Sequence, residues 1–445
     1  MGGDELFEAL PEMTGPQRQG AGAPRLREPV RDQLELRSMD LDGLIAADHP
    51  ARTVWAYVAR LDLRVLEDPI KAREGRPGHP PASPRLLLAL WLYATSDGVG
   101  SARALEKLCA SHDAYRWLCG GVSVNYHTLA DFRAAHPALL DDLLTRSVAS
   151  LAAAGAIDLD TMAQDGVRVR ASAGTSSFRR RQSLHKCLKK AHRLVARLKG
   201  ELEHDREASN RRIAAARERA AREQERRVSE ALDKLAELEA ERARRAKTNA
   251  KQTRKQKEPR ASTTDPEARV MKMSDGGFRP AYNVQIASLP EAQIVVAVEV
   301  ETTGSDRGQM RPMLERLGQR YRPPRRFLAD GGFTKNADIE WAADPANGAI
   351  KVYCPPVKSR HRTDPFAPRD DDGPGLAAWR RRMNSAAGKA IYKTRAIAEC
   401  IHARFRHWKL QQLTVRGRAK ARTVALWYAL ANNVLRAPAL LAAAR

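Results

Sequence analysis

The sequence predicts a mixed α/β protein in which a helical N-terminal region precedes a strand-and-helix core, and a long basic helical segment splits that core. Three observations carry this. Short alternating or β-branched runs recur at Val167–Ala171, Tyr282–Ala287, Ile294–Val300, Arg326–Ala329 and Ile350–Cys354, each bounded by turn residues. Apolar residues at helical spacing fill the N-terminal third and the gaps between the later runs. The stretch 178–260 has one glycine, Gly200, no proline before Pro259, and 27 Lys and Arg against 13 Asp and Glu, so it holds +14 of the net charge of +24.

Taken in order, residues 1–35 are rich in Gly, Pro, Gln and Arg without periodicity, which predicts a mobile tail. Residues 36–155 read as a helical domain. Ser83 is placed to cap a helix with Pro84 at its first position, ahead of the apolar run Leu86–Ala94. Gly98, Gly100, Gly120 and Gly121 punctuate helices at Ala102–Ala110 and His112–Cys119. Asn125 or Thr128 opens another, marked by Leu129, Phe132, Leu139, Leu140 and Leu143. Short helices with glycine turns are compatible with a helix-turn-helix DNA reader, and equally with any small helical domain.

The core begins at 156–177, with a strand that carries Asp165 and Gly166. An Asp-Gly pair usually turns the chain, but no partner strand follows directly, so the strand is read through it. Asp158 and Asp160 lie nearby as decoys. In 178–260 the residues Leu188, Val195, Leu198, Leu202, Ile213, Val228, Leu232, Leu235 and Leu238 form a sparse heptad-like seam. That predicts a helical hairpin or coiled-coil arm, with a single solvated helix or a basic linker as the alternative.

The core resumes over 261–435. Ser288 to Ala292 joins two strands as a hairpin, and Gln309–Tyr321 is an amphipathic helix with Met310, Met313, Leu314 and Leu317 inward. The run from Arg326 is a buried strand ending on Asp330, and Asn336–Ala343 is a helix before the strand at Ile350. A basic, proline-rich loop (Lys358–Pro374) leads toward Ile391–Lys409. As one helix, that stretch sets Ile397, Ile401, Phe405 and Trp408 on one face and Tyr392, Arg395, Glu399 and Arg406 on the other. A last apolar helix, Val424–Leu435, closes the core, and 436–445 is read as a tail.

The net charge and a pI near 10.2 favour a polyanionic partner, nucleic acid above all. Five scattered cysteines with no CxxC pair argue against a disulfide framework and a zinc ribbon, and fit a reducing cytosol. The N-terminus shows no secretory pattern, and the longest apolar run, Leu86–Ala94, is far short of the roughly 20 residues that span a bilayer. The expected setting is the cytoplasm, with no membrane partner.

The element order places Asp165 on the first strand, Asp330 at the end of a later one and Glu399 on a charged helix face. In an open α/β sheet, sites lie at the strand carboxyl ends. Two Asp on neighbouring strands and a Glu from a packed helix can hold two hard cations about 4 Å apart through carboxylate oxygens. His127, His402 and His407 are read as packing or surface residues, and Trp408 as core.

These motifs resemble those of DDE transposases of bacterial insertion sequences, in the branch with a Tyr-x2-Arg-x3-Glu-x6-Lys signature. Tyr392, Arg395 and Glu399 match it, with Arg406 in the final basic place. Asp165-Gly166-Val167 through Ala171 matches the first-Asp pattern, and Ala329, Asp330, Gly332 and Phe333 match the second. The segments Thr264–Arg269, Gly276-Gly277 and Tyr282–Gln285 resemble members with a charged insertion after the first Asp. Two departures are Arg406 in place of the usual Lys and Phe333 where Tyr is common. The resemblance implies an RNase H-like core and hydrolysis at the ends of a mobile element with Mg²⁺ or Mn²⁺, two ions being expected. The freed 3′-hydroxyl then attacks target DNA. It assigns Asp165, Asp330 and Glu399 as catalytic metal ligands and Tyr392, Arg395 and Arg406 as contacts to DNA phosphates. It further implies double-stranded DNA partners, at least a dimer on DNA, and a nucleoid-associated protein. A purely hydrolytic nuclease of the same fold and an inactive DNA-binding protein are the alternatives.

Overall fold

The computed structural model describes residues 40–75, 79–204, 208–248, 258–357 and 364–444, so the expected tail at 1–35 lies outside the described residues. Seven helices come first: α1 (Pro50–Ala59), α2 (Arg64–Glu67), α3 (Pro84–Ser96), α4 (Ala102–Ser111), α5 (Asp113–Cys119), α6 (Tyr126–Ala135) and α7 (Pro137–Ala153). Pro84 opens α3 as expected, although the Ser83 side chain makes no capping bond. The Asn125 side-chain oxygen accepts the Thr128 N–H at 2.9 Å, which starts α6 where the sequence suggested.

Strands β1 (Thr161–Arg170), β4 (Arg269–Lys272), β5 (Phe278–Leu289), β6 (Ile294–Glu301), β7 (Arg326–Ala329) and β8 (Lys351–Tyr353) build one mixed sheet. The two-residue strands β2 (Phe178–Arg179) and β3 (Ala261–Ser262) pair separately. In space the main order is β6-β5-β1-β7-β8, with β4 extending the β6 edge of β5. β6 and β1 are each antiparallel to β5 between them, and β7 and β8 run parallel to β1. This curled mixed sheet is compatible with the RNase H-like core that the motifs imply.

The strand β1 does run through Asp165-Gly166, and glycine is required there for space. A Cβ on Gly166 would fall inside contact distance of the Asp306 carboxylate and 2.6 Å from Gln285 Nε2. Helices α10 (Met310–Gly318), α11 (Asn336–Ala343) and α12 (Pro374–Asn384) cover one part of the sheet around Phe327, Val352 and Trp379. The long helix α15 (Arg418–Ala443) packs against α3, α7 and β6, and its buried run Ala421–Val434 joins the N-terminal helices and the sheet in one core. The last helix therefore extends through most of the stretch read as a C-terminal tail. The helical region and the sheet are not separated by a gap in packing: Trp427 Nε1 donates to the Arg133 carbonyl at 2.9 Å, and Arg133 lies over Trp91.

Two helices fill most of the charged segment, α8 (Arg181–His204) and α9 (Ala208–Thr248), and they pack against each other. Leu184, Ala191 and Leu198 repeat at intervals of seven, as do Ala221, Val228 and Leu235, and all six are buried. The seam differs from the one expected. Ile213 is 55% exposed, Leu188 and Val195 are half-buried, and Leu202 lies outside the described side chains. Alanines were passed over because hydrophobicity alone gives them little weight, yet small residues let the two backbones approach.

Candidate active site

Asp165 and Asp330 are brought together by strand pairing. In the parallel pair β1/β7, Gln164 stands opposite Ala329, so the next residue on each strand is one of the two acids. Asp330 follows β7 directly, and its Oδ1 accepts the Gly332 N–H at 2.8 Å, which fixes the carboxylate at the start of a 3₁₀ turn over Gly331–Phe333. Burial pushes the Asp330 carboxyl above its ordinary range, and the neighbouring Asp165 and Asp306 carboxylates add to the effect.

Glu399 arrives differently. The stretch 391–409 is not one helix: α13 (Ala386–Lys393) gives way to a 3₁₀ segment at Thr394–Ala398, and α14 (Glu399–His407) starts on the glutamate itself. The change of pitch rotates the apolar stripe, so Ile401 and Phe405 are buried while Ile397 is 37% exposed. Trp408 packs against Phe405 and Tyr428 as a core residue. The Glu399 side chain is 60% exposed and bound by Arg395, whose Nη2 lies 3.0 Å from Oε1. The same guanidinium reaches Asp165, with Nη1 3.4 Å from Oδ2. Arg395 thus bridges the first and third carboxylates.

His402, one turn after Glu399, is a residue that sequence reading set aside. Its Nε2 lies 3.4 Å from Asp165 Oδ2, its side chain is 12% exposed, and its Nδ1 is a buried atom with no hydrogen-bond partner. Burial pushes the imidazole below its usual pKa. The signal was available as the i, i+3 spacing from Glu399. Asp165, Glu399, His402 and Arg406 line one groove of about 700 Å³. Asp158 and Asp160, by contrast, pair with Arg322 at the entry to β1. Phe333 is fully buried, so its ring is a core element.

The motifs around the carboxylates have structural work. Along β5, side chains alternate between faces. Tyr282 donates to Asp265 at 2.7 Å, while Asn283 and Gln285 both donate to Asp306 Oδ1, at 2.7 and 2.8 Å. Arg168 meets the other Asp306 oxygen at 3.1 Å, which completes a network behind Gly166. Asp265 accepts the Gly417 N–H at 3.2 Å and Glu267 the Arg418 N–H at 2.8 Å, so two acids of Thr264–Arg269 meet the N-terminus of α15.

The donor chemistry fits a hard divalent cation, since carboxylate oxygens crowd at adjoining strand positions and Asp330 registers that crowding. Among the described residues, however, no three His, Cys, Asp or Glu side chains stand close enough to hold a metal ion. Asp165 and Asp330 form the neighbouring pair, and Glu399 is engaged by Arg395.

A mixed sheet with acids at adjoining strand positions and a third across one groove defines the class of site: carboxylate chemistry at the edge of an RNase H-compatible core. Residues 247–434 match the family described as Transposase DDE domain, and residues 39–135 match the Transposase domain (DUF772). Asp330 and Glu399 lie within the first match, and Asp165 precedes it. Together the two matches support a DDE transposase of an insertion sequence. Curated proteins and solved structures give no match. Among the described residues, no helix is long and apolar enough to cross a membrane.

Proposed function

We propose that this transposase binds the ends of a mobile DNA element, cleaves them by phosphodiester hydrolysis and joins the resulting 3′-hydroxyl to target DNA. Asp165, Asp330 and Glu399 are the catalytic carboxylates and the ligands of Mg²⁺ or Mn²⁺, two ions in the working complex. Tyr392, Arg395 and Arg406 face the DNA phosphates of the branch signature. The observation that supports this reading best is the pairing of Asp165 with Asp330 in adjoining register, with Glu399 tied back to Asp165 through Arg395.

Divalent cations held by these carboxylates would supply an activated water or hydroxyl nucleophile and would stabilise the leaving oxygen. The chain's own residues set the geometry. Backbone N–H groups of Gly166 and Gly332 hold one oxygen each of Asp165 and Asp330, at 2.9 and 2.8 Å. This leaves the second oxygen of Asp330 for ligation, whereas the second oxygen of Asp165 is the one that Arg395 and His402 approach, each at 3.4 Å. Arg395 keeps Glu399 near the groove, and its guanidinium passes to a DNA phosphate when Glu399 turns to join the aspartates. His402 packs against Asp165 and limits its rotation.

Residues 36–155 serve as the DNA-binding helical domain, 156–177 with 261–435 as the catalytic core, and 178–260 as a basic helical arm on the DNA. Synapsis of two ends requires at least a dimer, working in the cytoplasm on the nucleoid. The test is cleavage of a plasmid carrying the gene with its native flanks, in Mg²⁺ or Mn²⁺. Paired cuts at inverted repeats followed by joined products support the reading. Cuts without joining favour a hydrolytic nuclease, and DNA binding with no cutting under any metal removes the catalytic assignment.

A further inference from the structure

The catalytic groove is lined by four arginines, Arg168, Arg170, Arg279 and Arg406, and two of them are already neutralised. Arg168 is held by Asp306 at 3.1 Å and by the Gly304 carbonyl at 2.8 Å. Arg279 is held by Asp275 at 2.6 Å. Arg395, next to the groove, is shared between Asp165 and Glu399. Two guanidinium groups on the lining, Arg170 and Arg406, are exposed, and neither has a carboxylate partner among the described residues. A paired arginine gives up little counterion when DNA arrives, whereas an unpaired one on a fixed backbone is prepared for a phosphate.

The backbone of Arg170 is fixed on both sides. It closes β1 opposite Ala281 of β5, its N–H donates to the Gln411 carbonyl at 3.0 Å, and its carbonyl accepts the Leu413 N–H at 2.7 Å. The crossing segment thus clamps the end of the strand that carries Asp165, and only the Arg170 side chain is left to the groove. Arg406 stands on α14, two turns beyond Glu399. The two free cations therefore sit on different elements, one on the sheet and one on the helix, with the carboxylates on the same two elements.

We propose that Arg170 is a second DNA-phosphate contact of the catalytic groove, acting with Arg406 to hold the backbone of one strand between sheet and helix. The assignment rests on the transposase reading above and names residues for its substrate contact.

The test is binding of the full chain to a fluorescein-labelled 40-base-pair duplex of random sequence across a range of KCl concentrations, a probe length of about 40 being ample for one groove. Arg170→Ala is expected to lower the slope of log K against log salt by about 0.9, which corresponds to about eightfold weaker binding at 0.1 M salt. Arg170→Lys keeps the slope, because the charge survives. Circular dichroism of Arg170→Ala stays that of the wild type, since the exposed side chain takes no part in packing. A wild-type slope for Arg170→Ala, alongside a lowered slope for Arg406→Ala, overturns the Arg170 assignment and leaves the groove reading standing. Wild-type slopes in both variants overturn the DNA-contact reading of the groove as a whole.

Discussion

Asp165 and Asp330 on the one hand, and Glu399 on the other, reach the site by two kinds of structure. The aspartates sit at adjoining positions of a parallel strand pair, each with one oxygen held by a backbone N–H. The glutamate begins a helix that follows a 3₁₀ segment, is 60% exposed, and is positioned by one guanidinium. Register is a property of a whole sheet and does not shift without moving every side chain on the strand. An ion pair on an exposed helix exchanges partners at little cost. The difference separates a fixed half of the site from an adjustable half.

Four experiments bear on that contrast. The largest effect belongs to the fixed half: on the proposed assignment, Asp165→Asn or Asp330→Asn should lower metal-dependent cleavage by about 10³-fold or more, since each would remove a metal ligand whose charge stabilisation is of several kcal/mol. Plasmid nicking rates measure it, and a residual rate within tenfold of wild type for either variant would place the chemistry elsewhere. Arg395→Ala, which frees Glu399, should lower the rate about 10- to 100-fold while the melting temperature stays within about 2 °C. A cooperative loss of structure instead would mean that Arg395 is a core support.

Smaller effects come from the frame behind the aspartates. Gly166→Ala forces a methyl into Asp306 and Gln285 and should destabilise the chain by about 1–3 kcal/mol, read as a lowered urea midpoint. An unchanged midpoint would show that the network yields freely. The last concerns the charges that tie α7 to α10 and α15. Asp141 meets Arg320, Arg422 at 2.9 Å and Arg316 at 3.8 Å, and Glu299 meets Arg422 and Arg316, each at 2.6 Å. Burial works to raise the Asp141 carboxyl, but Arg320 and Arg422 outweigh it and hold it below the usual range. A depressed folded pKa contributes stability above the unfolded value near 4 that is lost as pH falls through the folded one. Asp141→Asn should therefore flatten the fall in melting temperature at acid pH, by an amount on the order of 1 kcal/mol. A parallel curve for the variant would deny the linkage.

What could be read from the chain follows the same division. The strands that carry Asp165 and precede Asp330 were legible because strands advertise themselves by alternation and by apolar runs, with one acid inside β1 and the other just past the end of β7. The hairpin of β5 and β6 and the helices at Met310 and Asn336 followed from the same periodicities. The 3₁₀ break at Thr394–Ala398 was not legible, since no proline or glycine marks it and its residues are compatible with continued helix. Ile397 was misplaced for that reason. His402 was missed because a single histidine carries little weight until its neighbour is known. Asp306 and the amides of Asn283 and Gln285 belong to contacts distant in sequence, which alternation along β5 hints at and only the fold brings together. The α8–α9 seam was read partly in the wrong residues because its close packing uses alanine.

The most direct measurement is Mn²⁺ binding to the full chain by electron paramagnetic resonance, comparing wild type with Asp165→Asn, Asp330→Asn and Glu399→Gln, with and without DNA. The account predicts that either aspartate variant loses bound Mn²⁺ under both conditions, whereas Glu399→Gln matches wild type without DNA and falls behind only when DNA is added. Undiminished Mn²⁺ binding by Asp165→Asn, or an equal loss in all three variants without DNA, would contradict a site built from a fixed pair and a movable third.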